Sequence, residues 1–95
     1  MLYYTCIVIE KRMKIGNLEI RGDLVLAPMA GVTDAAFRQI CAELGAGYTV
    51  TELVSAKALC YHDTKTAQLL RPFPSEKPFA AQIFGSDVNC MAEAA

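Results

Sequence analysis

The spacing of apolar and polar residues changes several times along the chain, and each change predicts a different element. Around Gly16-Asn17, apolar and polar positions alternate between Lys14 and Ile20, which is typical of a short β-hairpin. Arg21-Gly22-Asp23 predicts a second turn. The unbroken apolar run from Leu24 to Ala27 then predicts a strand that is buried on both faces of a parallel sheet.

The following segment has the strongest helical pattern in the sequence. Its apolar residues recur at positions i, i+3, i+4 and i+7, which predicts one buried stripe on a helix. They are Phe37, Ile40, Cys41 and Leu44. Thr33 or Asp34 can cap the first turn, and Gly45 and Gly47 are expected to end the helix. Cys41 is interpreted as a small core residue of this stripe.

A second strand and two short helices are predicted next. Tyr48 to Thr51 has the β-branched and aromatic character of a strand and ends at Glu52. Residues 55–60 and 63–70 predict two short helices that are separated near His62. His62 is interpreted as a solvated loop residue, because no partner for a proton shuttle is evident.

A third apolar strand and a fourth helix complete the pattern. Pro72, Pro74 and Pro78 exclude a continuing helix and predict a rigid connection. The run Phe79 to Phe84 predicts an apolar strand, and Gly85-Ser86-Asp87 then repeats the small loop and helix cap of the first unit. An apolar stripe begins again at Val88.

Three strands, each followed by a helix, predict an α/β fold with parallel neighbouring strands. The interpretation is the N-terminal segment, about three βα units, of a TIM (β/α)₈ barrel. A complete barrel takes roughly 250 residues, so a chain of 95 residues is expected to be incomplete. A doubly wound sheet is the alternative fold. No Gly-rich phosphate fingerprint follows the first strand, which weakens the dinucleotide-binding form of that alternative.

The first twelve residues do not fit this pattern. Their apolar run, Leu2 to Ile9, is too short to span a bilayer, and its charges follow the run, unlike those of a signal peptide. An added edge strand and translation from an upstream start are both compatible with it. We predict that residues 1–12 form an extension outside the architecture and that residues 13–95 form the truncated barrel domain.

Composition narrows the class of function. The chain is 54% hydrophobic and 20% charged, which is typical of a globular protein. Its net charge of −1 provides no basic footprint for nucleic acid. The four cysteines are too widely spaced for a metal knuckle or a redox pair, so reduced cytosolic thiols and no metal are expected. They are Cys6, Cys41, Cys60 and Cys90.

The first candidate ligand site is the loop within Leu26 to Asp34. Parallel α/β folds place their chemistry at the carboxyl ends of strands, where this loop is predicted. Pro28 sets the direction in which the chain leaves the strand, and Met29 offers a polarizable apolar surface. Ala30 and Gly31 allow a flat ligand to approach the backbone closely.

Glu52 and Gln82 are the other candidates. Glu52 ends a parallel strand, so it can contact the edge of a base or a flavin, cap the next helix, or pair with Lys57. Gln82 is the one polar residue of an apolar strand, and its amide must find partners. It matches the donor and acceptor edge of a flavin pyrimidine ring, or it is satisfied by neighbouring backbone.

Three segments together resemble the opening of the tRNA-dihydrouridine synthases, particularly the bacterial B-type branch. They are Leu26-Ala-Pro-Met-Ala-Gly-Val-Thr-Asp34, Thr51-Glu-Leu-Val-Ser-Ala-Lys-Ala-Leu59 and Gln82-Ile-Phe-Gly-Ser-Asp87. The resemblance covers about residues 13–95. It implies a flavin-binding TIM barrel that is followed by a small helical domain. It also implies a cytoplasmic enzyme that reduces uridine in tRNA to 5,6-dihydrouridine with NAD(P)H and FMN.

The resemblance also implies individual roles. Pro28, Met29 and Ala30 would line the FMN, and Gln82 would hydrogen-bond its isoalloxazine ring. The cysteine that serves the family as an acid lies in an asparagine-x-glycine-cysteine-proline motif, which this sequence does not contain, so no catalytic residue is assigned. Most contacts with tRNA are likewise expected from other parts of such a protein, and this segment is expected to be inactive alone.

Two other functions remain open from the residues. One is a fragment of a different FMN barrel reductase with a small-molecule substrate. The other is a non-catalytic partial barrel that acts as a scaffold through its exposed sheet edge.

Overall fold

The computed structural model describes residues 13–95, so the predicted extension of residues 1–12 lies outside the described residues. The described part begins with an antiparallel hairpin of β1 (Met13–Ile15) and β2 (Leu18–Ile20). Its turn contains Gly16, whose φ of +58° favours glycine. The predicted hairpin is therefore confirmed.

A three-stranded parallel sheet follows, in the order β3-β4-β5. Its strands are β3 (Val25–Leu26), β4 (Tyr48–Ser55) and β5 (Phe79–Phe84). Four helices connect and follow these strands, namely α1 (Ala35–Glu43), α2 (Ala56–Cys60), α3 (Thr64–Leu69) and α4 (Val88–Ala94). The α/β class and the parallel strands are confirmed, whereas the closed barrel stays a prediction.

Side chains cap the helices where the sequence predicts short loops. Each helix is preceded by a residue whose side-chain oxygen accepts a hydrogen bond from a backbone N–H of the first turn. These residues are Asp34, Ser55, Asp63 and Asp87. Helix α1 ends as predicted before Gly45, whose φ is +116°. None of the helices within residues 13–95 is long and apolar enough to cross a membrane.

The first parallel strand differs from its prediction. Only Val25 and Leu26 pair with β4, and the side chains of Leu24 and Val25 are 63% and 47% exposed. Strand β3 is an edge strand among the described residues, and of its two residues Val25 is exposed and Leu26 is half-buried. The expectation of a strand buried on both faces is therefore wrong for this part of the chain.

Helix α1 also buries an unexpected face. Two members of the predicted stripe, Ile40 and Leu44, are 55% and 81% exposed. The buried residue of the helix is instead Arg38, whose side chain contacts Glu76. Of the predicted stripe, Phe37 and Cys41 are half-buried, so α1 faces the sheet with Arg38 and only part of the stripe.

Strand β4 contains an irregularity beside β5. Val50 is aligned with Ala80 and Leu53 with Gln82, so β4 has one more residue than β5 between these pairs. Such a β-bulge redirects side chains locally and is common next to functional sites. The Gln82 N–H donates to Oγ1 of Thr51 at 3.1 Å and so receives a side-chain acceptor at the bulge.

Candidate functional site

The candidate ligand loop after β3 closes on itself. The Met29 carbonyl accepts hydrogen bonds from the backbone N–H groups of Val32 and Thr33, both at 3.0 Å. Oγ1 of Thr33 is 3.0 Å from the Met29 nitrogen and 3.1 Å from its carbonyl oxygen, and Thr33 is fully buried. Gly31 has a φ of +74°, which makes glycine favourable in this turn. These hydrogen bonds therefore hold the loop in one conformation without a ligand.

The three residues expected to line the FMN differ in their exposure to solvent. Pro28 is half-buried, whereas Met29 and Ala30 are exposed. The exposed surfaces of Met29 and Ala30 can contact a flat ring, and the small side chain of Ala30 leaves room for the ring near the backbone. Their binding role remains a prediction.

Glu52 joins this loop to the central strand of the sheet. It is only 8% exposed and accepts a hydrogen bond from the Gly31 N–H. Ser55 caps α2, so the alternative in which Glu52 caps that helix is wrong. Within residues 13–95 Glu52 forms no ion pair with Lys57 either. The structure therefore makes Glu52 an anchor for the loop.

Gln82 lies on β5, two strands away from the loop, and its side chain is exposed. Its backbone bonds to Thr51, the neighbour of Glu52. The side-chain amide has no hydrogen-bond partner among the described residues, so the alternative of an amide satisfied by neighbouring backbone is wrong. The bulge of β4 thus lies between the loop, which bonds to Glu52, and Gln82, which bonds to Thr51. The Gln82 amide remains available to a ligand.

Two cavities lie at opposite ends of the sheet. The larger, about 790 Å³, includes Gly47 and Phe79 in its wall and is therefore at the amino ends of β4 and β5. The smaller, about 660 Å³, is lined by Ser55, Phe84 and other residues at the carboxyl ends. Neither wall includes the four residues expected to bind FMN. These residues lie on an open surface because three strands do not enclose a barrel mouth.

A buried ion pair between Arg38 and Glu76 contacts the end of the candidate loop. The Arg38 guanidinium donates from Nε to Oε1 of Glu76 at 2.7 Å and from Nη2 to Oε2 at 3.2 Å. It also donates to the backbone carbonyls of Thr33 and Arg71, both at 2.9 Å. Both charged side chains are 1% exposed. The pair thereby ties the start of α1 to the proline-rich connection.

The Glu76 carboxylate is well supplied with donors. Besides Arg38, it accepts hydrogen bonds from Oγ1 of Thr49 at 2.6 Å and from the Phe73 N–H at 3.2 Å. Desolvation by burial raises the pKa of Glu76, but the hydrogen bonds from Arg38 and Thr49, the Arg38 charge and the Phe73 N–H together outweigh it. The pKa of Glu76 consequently lies below its usual value of 4.5.

This lowered pKa predicts a defined acid sensitivity. Glu76 contributes stability above pH 4.5, its value without such contacts, and the contribution is lost as the pH falls through the lower folded-state pKa. A ¹³C NMR titration of the Glu76 carboxyl carbon should give a midpoint below 4.5. A midpoint above 4.5 would mean that desolvation prevails over the donors and would contradict this account.

His62 and Cys60 differ in their surroundings. His62 is exposed, with a φ of +56° in the turn between α2 and α3, which confirms that it is a loop residue. The hydrogen bond with Cys90, partial burial and the Glu93 carboxylate raise the pKa of Cys60 to about 11, so its thiol stays protonated at neutral pH. No cluster of metal-ligating side chains occurs in this part of the chain.

Several fully buried polar residues near the candidate loop were not predicted from the sequence. Thr49, Thr51 and Arg38 are among the largest fully buried side chains of residues 13–95. Periodicity carries no signal for them, because polar residues are ordinarily expected at the surface. The alternation of Thr49 and Thr51 with Val50 in the predicted strand was the available indication, because it places both threonines on one face.

Comparisons with known proteins agree with the resemblance. A family model described as dihydrouridine synthase matches residues 25–95. The chain is 42% identical over 83 residues to tRNA-dihydrouridine synthase B of Vibrio parahaemolyticus, and these residues are 87% of this chain and 26% of that protein. A probable tRNA-dihydrouridine synthase of Treponema pallidum is also 42% identical, with 87% and 24% covered. The chain therefore spans about a quarter of the length of these curated relatives.

Proposed function

The chain belongs to the dihydrouridine synthase family, and we propose that it is the N-terminal part of an FMN-dependent enzyme that reduces uridine in tRNA. Residues 13–95 form the first three βα units of its TIM barrel, and residues 1–12 are an extension outside that barrel. The protein acts in the cytoplasm with NAD(P)H as reductant. This segment supplies part of the FMN site and has no activity alone.

One observation carries the proposal. A loop of small residues at the carboxyl end of β3 is fixed by Thr33 and Glu52 while Met29 and Ala30 remain exposed. Preorganised loops of this kind lose little freedom when they bind a rigid ring. Such a loop at the end of a parallel strand is where α/β folds bind ligands.

The residues present fit a flavin. Pro28, Met29 and Ala30 offer an apolar, sterically open surface to the ring, and Gln82 offers an exposed amide with both a donor and an acceptor. When bound, the flavin supplies the hydride chemistry that uridine reduction requires. The residues of this chain bind and orient the ring. The proton donor and most tRNA contacts come from parts of the protein outside residues 13–95.

A hybrid protein tests the proposal. All 95 residues are joined to the part of the Vibrio parahaemolyticus relative that follows its matched 83-residue segment. We expect the hybrid to bind FMN and to form dihydrouridine in tRNA with NAD(P)H, measured by mass spectrometry of digested tRNA. The 95-residue chain alone is the control and should form none.

A hybrid that folds but binds no FMN would overturn the proposal. A folded hybrid that binds FMN but forms no dihydrouridine would favour a segment of a different flavin reductase. If the 95-residue chain alone formed dihydrouridine, the proton donor and the tRNA contacts could not belong mainly to other parts of the protein.

A further inference from the structure

Glu52 is an incompletely partnered buried side chain. It is more than nine-tenths buried, yet within residues 13–95 it receives one hydrogen bond, from the Gly31 N–H, and no ion pair. For comparison, the buried carboxylate of Glu76 receives donors from Arg38, Thr49 and Phe73. A ligand that covers the remaining carboxylate oxygen removes it from water, which is costly unless the ligand also donates a hydrogen bond to it.

The second oxygen of Glu52 is available for such a partner. No side-chain oxygen that is fully buried in the described part of the chain lacks a hydrogen bond. Oε2, which has no donor, therefore retains contact with solvent while Oε1 holds Gly31. An oxygen of this kind beside an exposed loop is an acceptor for a ligand N–H.

We propose that Glu52 is a further ligand-binding residue, which holds the loop with Oε1 and accepts a hydrogen bond from a ring imide N–H with Oε2. The inference rests on the proposed function, because an imide N–H occurs both in the flavin pyrimidine ring and in uracil. Glu52 lies on the strand between the loop and β5, and Gln82 of β5 is aligned with Leu53, the residue after Glu52. The exposed amide of Gln82 can serve the carbonyl groups that flank the imide.

Two substitutions separate the roles of the two oxygens. In Glu52→Gln the side-chain carbonyl can still accept from Gly31, but the amide nitrogen places a donor against the imide donor. In Glu52→Ala both contacts are lost. Glu43→Gln is the matched control, because Glu43 is an exposed residue of α1 whose carboxylate accepts a hydrogen bond, within residues 13–95, from the Gln39 side chain alone, at 3.4 Å.

The test uses the hybrid that contains all 95 residues. Hydrogen exchange at the Gly31 amide reports on the loop, FMN titration reports on the flavin, and the KM for tRNA reports on uridine. If the imide belongs to FMN, Glu52→Gln should preserve Gly31 protection and weaken FMN binding about tenfold or more. If it belongs to uridine, FMN affinity should stay unchanged and the KM for tRNA should rise by a similar factor.

Other results overturn the inference. Unchanged FMN affinity and unchanged KM in a folded Glu52→Gln hybrid would leave Glu52 as a loop anchor only. If the variant does not fold, the unsubstituted hybrid is tested with FMN and with uridine that are methylated at the imide nitrogen. If both methylated compounds bind as tightly as the unmethylated ones, Glu52 does not accept a hydrogen bond from the imide. An unsubstituted hybrid without FMN would instead overturn the proposed function.

Discussion

Replacing Arg38 by methionine should lower the free energy of unfolding of the chain by about 3–5 kcal/mol, the cost of removing one partner of a buried ion pair. The substitution leaves Glu76 charged and buried, with only Thr49 and Phe73 as donors. It also removes the hydrogen bonds to the carbonyls of Thr33 and Arg71. The measurement is urea unfolding followed by far-ultraviolet circular dichroism.

Arg71→Met is the matched control. The Arg71 side chain is exposed, and the carbonyl that it offers to Arg38 belongs to the backbone and remains in the variant. Its loss should stay within about 0.5 kcal/mol. Equal losses for the two variants would contradict the structural role of the buried pair. Combining Arg38→Met with Glu76→Gln should cost less than the sum of the single losses, because the two residues contact each other.

Replacing Gly47 by alanine should cost about 3 kcal/mol, at the upper end of the usual cost of overpacking. A Cβ atom at this position would lie 1.6 Å from the carbonyl oxygen of Arg21 and 2.8 Å from its carbonyl carbon. Both are backbone atoms, so rotation of a side chain cannot relieve the overlap. The Gly47 N–H also donates to the Leu24 carbonyl at 2.9 Å, which fixes the turn before β3.

Gly16→Ala is the control for the loss of glycine itself. A Cβ atom at Gly16 would meet no atom within 4 Å, so only its φ of +58° opposes the substitution. That strain should cost roughly 1 kcal/mol. A Gly47→Ala variant as stable as Gly16→Ala in urea would show that the backbone segments are not packed as closely as described.

Local features could be predicted from the sequence because their causes are local. Asp34 caps α1 through a bond to the Phe37 N–H, three residues away, at 2.8 Å. The turn at Gly16-Asn17 likewise joins neighbouring strands. Neighbouring residues determine such contacts, so a short window of sequence is enough to find them.

Long-range polar contacts could not be predicted in this way. Arg38 and Glu76 are 38 positions apart, and Gly31 and Glu52 are 21 apart. No periodicity links such residues, and the proline-rich connection gave no reason to bury Glu76. The sequence therefore indicated the residues of the candidate site one by one. The hydrogen bonds of Glu52 and Thr51 that connect them are visible only in the folded chain.

The burial of β3 and α1 was overestimated for a related reason. Apolar runs indicate which faces can pack against another layer, but they do not supply that layer. Leu24 and Leu44 remain exposed among residues 13–95. In the proposed barrel, further βα units would cover Leu24.

The most direct test of the central claim is a crystal structure of the hybrid with bound FMN. We expect the flavin ring to lie against Pro28, Met29 and Ala30, with the Gln82 amide about 3 Å from a polar atom of the ring. A flavin bound instead in the cavity beside Phe73 and Lys77, at the opposite end of the sheet, would contradict it.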